Sequence, residues 1–169
     1  MTAASARRLR PWKESEMTSM TDEERDAFMI EPRLGNLGIA RTGRGPLLAP
    51  IWYRYTPGGT VDICIGATSA KAKRLRAEGR ATLSVVDAGE RGVYRYVAVE
   101  GPVTMTPLGD RTEAEILAMS SRYLGQKGGR RYTDNFMARL VEDDLHEGHG
   151  DTEVMVSITP DLWRTEVLG

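Results

Sequence analysis

Five cationic residues lie close together in the chain, at a point where a strand is predicted to pass into a helix. They are Lys71, Lys73, Arg74, Arg76 and Arg80. Thr68 and Ser69 precede them with two hydroxyl groups, and the first turn of a helix adds unpaired backbone N–H groups and a partial positive charge. Helix N-termini hold phosphate by gathering donors of these kinds at one point. The turn from 66 to 76 is therefore predicted to bind an anion.

The helical repeat separates these cations by direction. Ala72 and Leu75 share one face and are predicted to pack inward, whereas Lys71 and Arg74 border that face. Lys73 points further outward, so that two or three of the five cations can serve one ligand. The alternative is a solvated basic helix with ordinary caps. Cations near the start of a helix are poorly placed for its dipole, which favours the anion-binding hypothesis.

The hydrophobic pattern predicts the strands and helices that position this site. Thr21 begins a capping box for a first helix that stops before Pro32. Pro50 indicates a bulge or an unpaired edge position in its strand. The predicted strands are 36–41, 47–55, 60–65, 81–86, 93–105 with an interruption at 101–102, and 153–168 with a kink at Pro160. The predicted helices are 22–30, 70–78, 110–124 and 133–141, with a break at 125–129.

Hairpin links between most strands, with helices inserted late, indicate a β-barrel of the α+β type. The chain lacks the alternation of strands and helices that a doubly wound parallel sheet requires. Its 169 residues suit one compact domain. Residues 1–17 are predicted to form a mobile N-terminal arm, or an arm that becomes ordered over a partner subunit or a ligand. Residues 18–169 are predicted to form the folded domain.

The overall composition is that of an ordinary soluble globular protein, with 40% hydrophobic and 28% charged residues. A formal net charge of -1 gives no reason to expect nucleic acid or an anionic membrane as a partner. No run approaches the roughly 18 apolar residues that a membrane helix needs, so a cytoplasmic protein is expected. Cys64, the single cysteine, lies in an apolar strand and is predicted to be a buried small hydrophobic residue.

Other groups of reactive residues carry no predicted catalytic or metal chemistry. His146 and His149 are three residues apart in a glycine-rich loop, whereas paired zinc-binding histidines lie four apart on a helix, so no metal site is predicted. The serines lack a histidine and carboxylate setting, so no catalytic residue of a hydrolase is predicted. Tyr123, Tyr132 and Trp163 are expected mainly to pack, and one or two of them could wall a substrate pocket.

Four regions of the chain, taken in their order and spacing, resemble the flavin- and deazaflavin-dependent oxidoreductases of the split β-barrel, the fold of pyridoxamine 5'-phosphate oxidase. The regions are 48–53 (LAPIWY), 67–75 (ATSAKAKRL) with 79–85 (GRATLSV), 96–103 (YVAVEGPV), and 122–125 (RYLG) followed by Tyr132. Together they cover roughly residues 25 to 165. The resemblance implies an α+β, mainly β fold, namely a six-stranded antiparallel split β-barrel with short peripheral helices.

The resemblance also implies where a cofactor would bind. Pro50, Ile51 and Trp52 match the strand whose backbone lies against an isoalloxazine or deazaflavin ring. Lys71 matches the phosphate-binding lysine. The ribityl chain, the phosphate and further anionic groups are expected at Ala67, Thr68, Ser69, Lys73 and Arg74. In a homodimer, with the active site between the two subunits, the partner chain would contribute Arg95, Tyr96, Trp163 and Arg164.

The chain departs from the phosphate oxidase itself in two respects. Ala70 stands where that enzyme has an arginine before its lysine. The positions that bind pyridoxine phosphate have no match in this chain. Oxidation of vitamin B6 is therefore not expected.

The resemblance implies an oxidoreductase in which reduced coenzyme F-420, a deazaflavin, passes hydride to a planar, electron-poor small molecule. Such a protein holds and shields the ring and needs no nucleophile of its own. Coenzyme F-420 is favoured because its phospholactyl-glutamate tail suits extra cations such as Lys73, Arg74 and the basic arm. FMN is the alternative cofactor, and haem or no cofactor is a further one. The alternative function is a carrier that binds the cofactor without turnover.

Overall fold

The computed structural model describes residues 17–89, 94–147 and 153–168, which form nine strands and three α-helices. The strands are β1 (Met17–Thr18), β2 (Gly35–Ile39), β3 (Leu47–Ile51), β4 (Arg54–Tyr55), β5 (Val61–Gly66), β6 (Arg80–Ala88), β7 (Tyr94–Pro107), β8 (Glu153–Ile158) and β9 (Leu162–Leu168). The helices are α1 (Asp22–Ile30), α2 (Ala70–Glu78) and α3 (Thr112–Glu147). Of the predicted arm, residues 1–16 lie outside the described residues, and Met17 pairs with Leu168.

The strands form a curled antiparallel sheet with the order β3-β2-β6-β7-β8-β5-β4. In addition, β9 pairs with β7, and β1 pairs with β9. The long strand β7 belongs to both halves of the sheet, because its first half pairs with β6 and β9 while residues 103–107 pair with β8. The curled sheet forms a half-barrel, so the predicted α+β, mainly β split β-barrel is confirmed.

Two of the six predicted strands are divided in the structure. Trp52 and Tyr53 leave the sheet, so the predicted strand 47–55 becomes β3 and β4. Pro160 lies between β8, which pairs with β5 and with residues 103–107 of β7, and β9, which pairs with β1 and with the first half of β7. The predicted kink therefore separates two strands. Pro50 lies in β3, which pairs with β2 alone among the described strands and is therefore an edge strand, as the proline predicts.

The predicted interruption at 101–102 is wrong, because β7 continues through it. Gly101 lies where β7 passes from one half of the sheet to the other, beside the connection between β8 and β9. The Thr159 N–H donates to the Pro102 carbonyl at 3.0 Å, and a Cβ atom on Gly101 would lie 1.8 Å from the Thr159 carbonyl oxygen. The glycine therefore permits a close approach of two backbones and does not end the strand.

Helix α2 forms as the sequence predicts. The Ser69 side chain accepts a hydrogen bond from the Ala72 N–H at 3.2 Å, and Gly79 ends the helix with φ of 68° and an N–H that donates to Leu75. The predicted capping box at Thr21 likewise begins α1. Ala72 and Leu75 are completely buried, and they pack α2 against β2, β5 and β6. This packing fixes the start of α2 just beyond the end of β5.

Helix α3 is longer than predicted and kinked at one residue. Gly125, with φ of 70° and ψ of 170°, is the non-helical residue, so the predicted break at 125–129 shrinks to a single position and the helix predicted at 133–141 begins earlier. At Gly129, which is helical, the two halves of α3 approach each other closely. A Cβ atom on Gly129 would lie 2.3 Å from the Ser121 Oγ. Gly125 thus provides the kink, and Gly129 permits the close contact.

Replacing Gly101 with alanine is expected to destabilise the fold, because the new methyl group would overlap the carbonyl group of Thr159. Overpacking against backbone of this kind costs about 3 kcal/mol. Gly45→Ala is the matched control, because nothing lies within 4 Å of a Cβ atom at that position. The control should change the free energy of unfolding by less than about 0.5 kcal/mol. Equal stabilities of the two variants in chemical denaturation would contradict the close approach.

Candidate functional site

A cavity of about 560 Å³ opens between the ends of β3 and β5 and the inner side of α3. Sites for small molecules and cofactors usually enclose 300 to 1,000 Å³, roughly, so this volume suits a ligand of that size. Most of its walls are apolar, and they include Ile65, Ile116 and Met119. The charged groups in the described part of its wall are Lys71 and Glu153. The cavity is therefore an apolar space with one cation and one carboxylate.

One wall of the cavity is aromatic. Trp52 stacks on Tyr123 with ring centroids 5.1 Å apart and an angle of 10° between the planes. Trp52 also contacts Tyr132 at 5.1 Å, and Tyr132 in turn stacks on Phe136 at 6.2 Å. Trp52, Tyr132 and Phe136 line the cavity, together with Pro50 and Ile51. The prediction that Tyr132 could wall a pocket agrees with this arrangement, whereas Tyr123 packs behind Trp52.

The Tyr123 hydroxyl holds the segment that leaves the sheet between β3 and β4. It accepts a hydrogen bond from the Tyr53 N–H at 2.9 Å and lies 3.0 Å from the carbonyl oxygens of both Tyr53 and Arg33. Arg122 donates to the Tyr53 carbonyl at 3.2 Å and to the Met29 carbonyl at 3.2 Å. Backbone groups that lose their sheet partners need others when they are buried. Two neighbouring side chains of α3 supply those partners and so fix this wall of the cavity.

Lys71 lies at the end of the cavity where β5 passes into α2. It lines the cavity beside Gly66 and forms no ion pair with the described residues. The neighbouring turn is held by its own hydrogen bonds: Ser69 caps α2, and the Ala67 carbonyl accepts from Arg76 at 2.7 Å. Thr68 is exposed. Lys71 and Gly66 thus line one end of the cavity, next to the start of α2.

The other cations of the cluster lie on the outer surface of the chain. Lys73 is exposed, and Arg74 lies 3.8 Å from Glu78 on the same helix. Arg80 pairs with Asp161 at 2.8 Å. The structure therefore brings Lys71 together with Pro50, Ile51 and Trp52, and it leaves the remaining cations outside the cavity wall.

The residues expected to reach a cofactor in the partner subunit lie away from this chain's own cavity. Arg95 pairs with Asp87 at 2.6 Å, and Tyr96 lies opposite Val86 in the β6–β7 ladder. Trp163 packs edge-on against Tyr55 at 5.6 Å, below the Arg25 guanidinium at 4.6 Å, and Arg164 pairs with Glu100. Their predicted role concerns a cofactor held by a second copy, and it stays a prediction.

Glu153 is a residue of the cavity wall that the sequence did not indicate. It begins β8, lies opposite Gly66 in the β5–β8 ladder and is 8% exposed. Its carboxylate has no hydrogen-bond or ion-pair partner within the part of the chain that the structure describes. Burial raises the pKa of Glu153 from 4.5 to about 7, and the charge of Lys71 opposes that rise. Its sequence signal was weak, since Glu153 follows an acidic loop and precedes an apolar strand.

The described ranges contain neither a cluster of metal ligands nor a membrane-spanning helix. No group of three or more His, Cys, Asp and Glu side chains there could hold a metal ion, and His146 and His149 lie outside the residues whose side chains are described. No helix in those ranges is both long and apolar enough to span a bilayer. Cys64 lines the cavity half-buried, and burial raises the pKa of its thiol to about 12, so it stays neutral.

Known proteins share this fold without close similarity in sequence. No protein-family model and no curated protein sequence matches the chain. Among solved structures, the chain is similar to a conserved hypothetical protein of Mycobacterium tuberculosis, with 20% identity, a TM-score of 0.66 and coverage of 92% of this chain and 89% of that one.

Two further solved structures are similar in fold. One is an F-420 reductase, with 22% identity, a TM-score of 0.59 and coverage of 82% of this chain and 94% of that one. The other is a FAD-binding protein of Mesorhizobium loti, with 17% identity, a TM-score of 0.59 and coverage of 90% and 99%. These structures support the split β-barrel fold that the resemblance predicted.

The variant Tyr123→Phe is expected to destabilise the protein, because it leaves the buried Tyr53 N–H without its partner. An unpaired buried donor costs about 1–3 kcal/mol in the free energy of unfolding. Tyr132→Phe is the matched control, since its ring also packs on Trp52 but its hydroxyl makes no hydrogen bond to the described residues. Urea denaturation measures both variants. Equal losses would show that the Tyr123 hydroxyl does not hold this segment.

The variant Glu153→Gln is expected to remove a pH dependence of stability. The folded protein holds the Glu153 proton more tightly than the unfolded chain, so wild-type stability falls as the pH rises from about 4.5 through 7. The shift corresponds to at most about 3 kcal/mol, and solvent screening of the partly accessible carboxylate reduces it. The variant should therefore gain on the wild type between pH 5 and pH 8 in denaturant titrations.

Glu142→Gln is the control for this experiment, because Glu142 is exposed on α3. It should keep the wild-type dependence on pH. A constant difference in stability between Glu153→Gln and the wild type from pH 5 to pH 8 would show that folding does not raise the pKa of Glu153.

Proposed function

We propose that the cavity binds a planar redox cofactor and that the protein is an oxidoreductase. In this proposal reduced coenzyme F-420 transfers hydride to a planar, electron-poor small molecule, and FMN is the alternative cofactor. The observation that carries the proposal is that Lys71 lines the same cavity as Pro50, Ile51 and Trp52. A cation at one end and an apolar, aromatic wall along the side suit a molecule with an anionic tail and a flat ring.

Each part of the wall has a role in this proposal. The ring would lie along Pro50, Ile51 and Trp52, and its phosphate would meet Lys71 and the first turn of α2, with Ala67, Thr68 and Ser69 beside it. The bound cofactor would supply the hydride chemistry. The apolar side chains of α3 would keep water from the ring. No side chain is required to act as a nucleophile.

The choice among flavin-type cofactors rests on the charge around Lys71. The similar structures include one named an F-420 reductase and one named FAD-binding, and both names support a flavin-type cofactor at the level of the fold. Lys73 is exposed two residues beyond Lys71, and Arg74 is partly exposed beside it. These cations suit the longer anionic tail of coenzyme F-420 better than the single phosphate of FMN.

A homodimer completes the proposal. Large apolar side chains remain exposed in the single chain, among them Leu48 at 70% and Leu34 at 55%. Exposed apolar side chains are more common at protein interfaces than elsewhere on a surface, so they favour a second copy. In such a dimer Arg95, Tyr96 and Trp163 would approach the cofactor of the partner subunit.

Titration of the purified protein with F-420, FMN and haem tests the cofactor choice, with absorbance or fluorescence as the readout. F-420 is expected to bind more tightly than FMN or haem. Lys71→Ala should weaken F-420 binding by about 1.5–3 kcal/mol, which is roughly 10- to 100-fold in Kd, because a charge-assisted contact is lost. Arg80→Ala is the control, since it removes the same charge outside the cavity. Unchanged affinity in Lys71→Ala would contradict the phosphate position.

Turnover distinguishes an enzyme from a carrier of the cofactor. Enzymatically reduced F-420 is mixed with the protein and a panel of quinones, nitroaromatics, enones and biliverdin, and its reoxidation is followed. Oxidation that depends on the protein is expected with at least one panel member. Tight binding of F-420 without oxidation by any of them would favour the carrier.

A further inference from the structure

Glu153 lines the same cavity as Lys71, and it is more than nine-tenths buried. Within the described residues no donor reaches its carboxylate and no cation lies within ion-pair distance of it. Gly66, directly opposite in the β5–β8 ladder, has no side chain that could cover it. Because Glu153 lines the cavity, water or a ligand there is left to satisfy its carboxyl group.

The groups around Glu153 leave Lys71 as its charged neighbour. On β5, Cys64 is close enough to feel the Glu153 charge, and its own thiol is neutral. On α3, Glu115 is already paired with Arg54 at 3.1 Å, while the cavity-lining residues of that helix are apolar or phenolic. From β7 and the following turn, the group that reaches Glu153 is a backbone N–H, which donates to its main-chain carbonyl. The protein itself therefore supplies no hydrogen-bond donor for the carboxyl group in the described wall.

The protonation state of Glu153 decides how it acts on an anionic ligand. An ionised carboxylate would repel a phosphate beside Lys71, and in an apolar cavity this repulsion is weakly screened. A protonated carboxyl group carries one O–H donor and can give it to a phosphate oxygen. Because burial raises the pKa of Glu153 to about 7, both states are accessible near neutral pH.

We propose that Glu153 is a specificity-determining residue, which in its protonated form donates a hydrogen bond to the anionic group that Lys71 holds. Binding then takes up one proton from solvent onto a Glu153 oxygen. This inference rests on the proposed function, since it needs an anionic ligand in the cavity. It gives the cavity a preference for ligands whose anionic group lies near this carboxyl group, and it makes their affinity fall as the pH rises.

The expected pH dependence follows from the free protein. At pH 8, above the raised pKa, most Glu153 side chains are ionised in the free protein, so binding should take up close to one proton. Above that pH the Kd should rise by nearly 10-fold for each pH unit. Glu153→Gln keeps an N–H donor at the same place but does not titrate. Its Kd should therefore match that of the wild type near pH 6 and show a flatter profile above pH 7.

Isothermal titration calorimetry of the full chain with F-420 tests this at pH 8, in two buffers of different ionisation enthalpy. The number of protons taken up by the wild type should exceed that of Glu153→Gln by close to one. Subtracting the variant removes any proton exchange by the ligand itself. Glu142→Gln, altered on the exposed surface of α3, should take up as many protons as the wild type. Circular dichroism establishes that each variant is folded.

The outcomes separate this inference from the proposed function. If F-420 binds and the wild type and Glu153→Gln take up equal numbers of protons, the inference is wrong while the cofactor site stands. If F-420 does not bind, the same titrations are made with FMN, and proton uptake by the wild type and by Glu153→Gln is compared for that ligand. Failure of both ligands to bind the wild type would overturn the proposed function and this inference together.

Discussion

The backbone at Tyr53 needs hydrogen-bond partners outside the sheet, and the shape of the cavity depends on how α3 supplies them. Between β3 and β4 the chain leaves the sheet, and Arg122 and Tyr123 bind the backbone groups that would otherwise be unpaired. Because both side chains come from one turn of α3, the helix is held over the end of the half-barrel. Trp52 then lies between the helix and the cavity, where it stacks on Tyr123 and contacts Tyr132.

The charges of the cavity differ from those on the surface. Several cations near the site have acidic partners on the same chain, such as Arg80 with Asp161 and Arg95 with Asp87. Lys71 has no ion-pair partner among the described residues, although it faces an apolar space. A charge in such surroundings gains strongly from an opposite charge in the ligand, because little water competes for it. The cavity is therefore a better match for an anion than the outer surface of the chain, although more cations lie on that surface.

Local rules predicted helix α2, at the Lys71 end of the cavity, well. Ser69, Ala72, Leu75 and Gly79 are placed by capping and helical periodicity, which act over a few residues, and α2 has the predicted ends. The departure of Tyr53 from the sheet was not predicted, because its partner lies 70 residues further along the chain. Contacts of that range depend on the packing of α3, which no local pattern encodes.

Glu153 was missed for a related reason, since its burial follows from the pairing of β8 with β5 and not from its neighbours in sequence. The structure also has more strands than predicted, because Pro160 separates β8 from β9, Trp52 and Tyr53 separate β3 from β4, and β1 was not predicted. The central claim is that one cavity holds both ends of a flavin-type cofactor. A crystal structure of the protein with bound F-420 tests it most directly. We expect the phosphate roughly 3 Å from the Lys71 ammonium and the ring against Pro50–Trp52. A cofactor bound outside this cavity would contradict it.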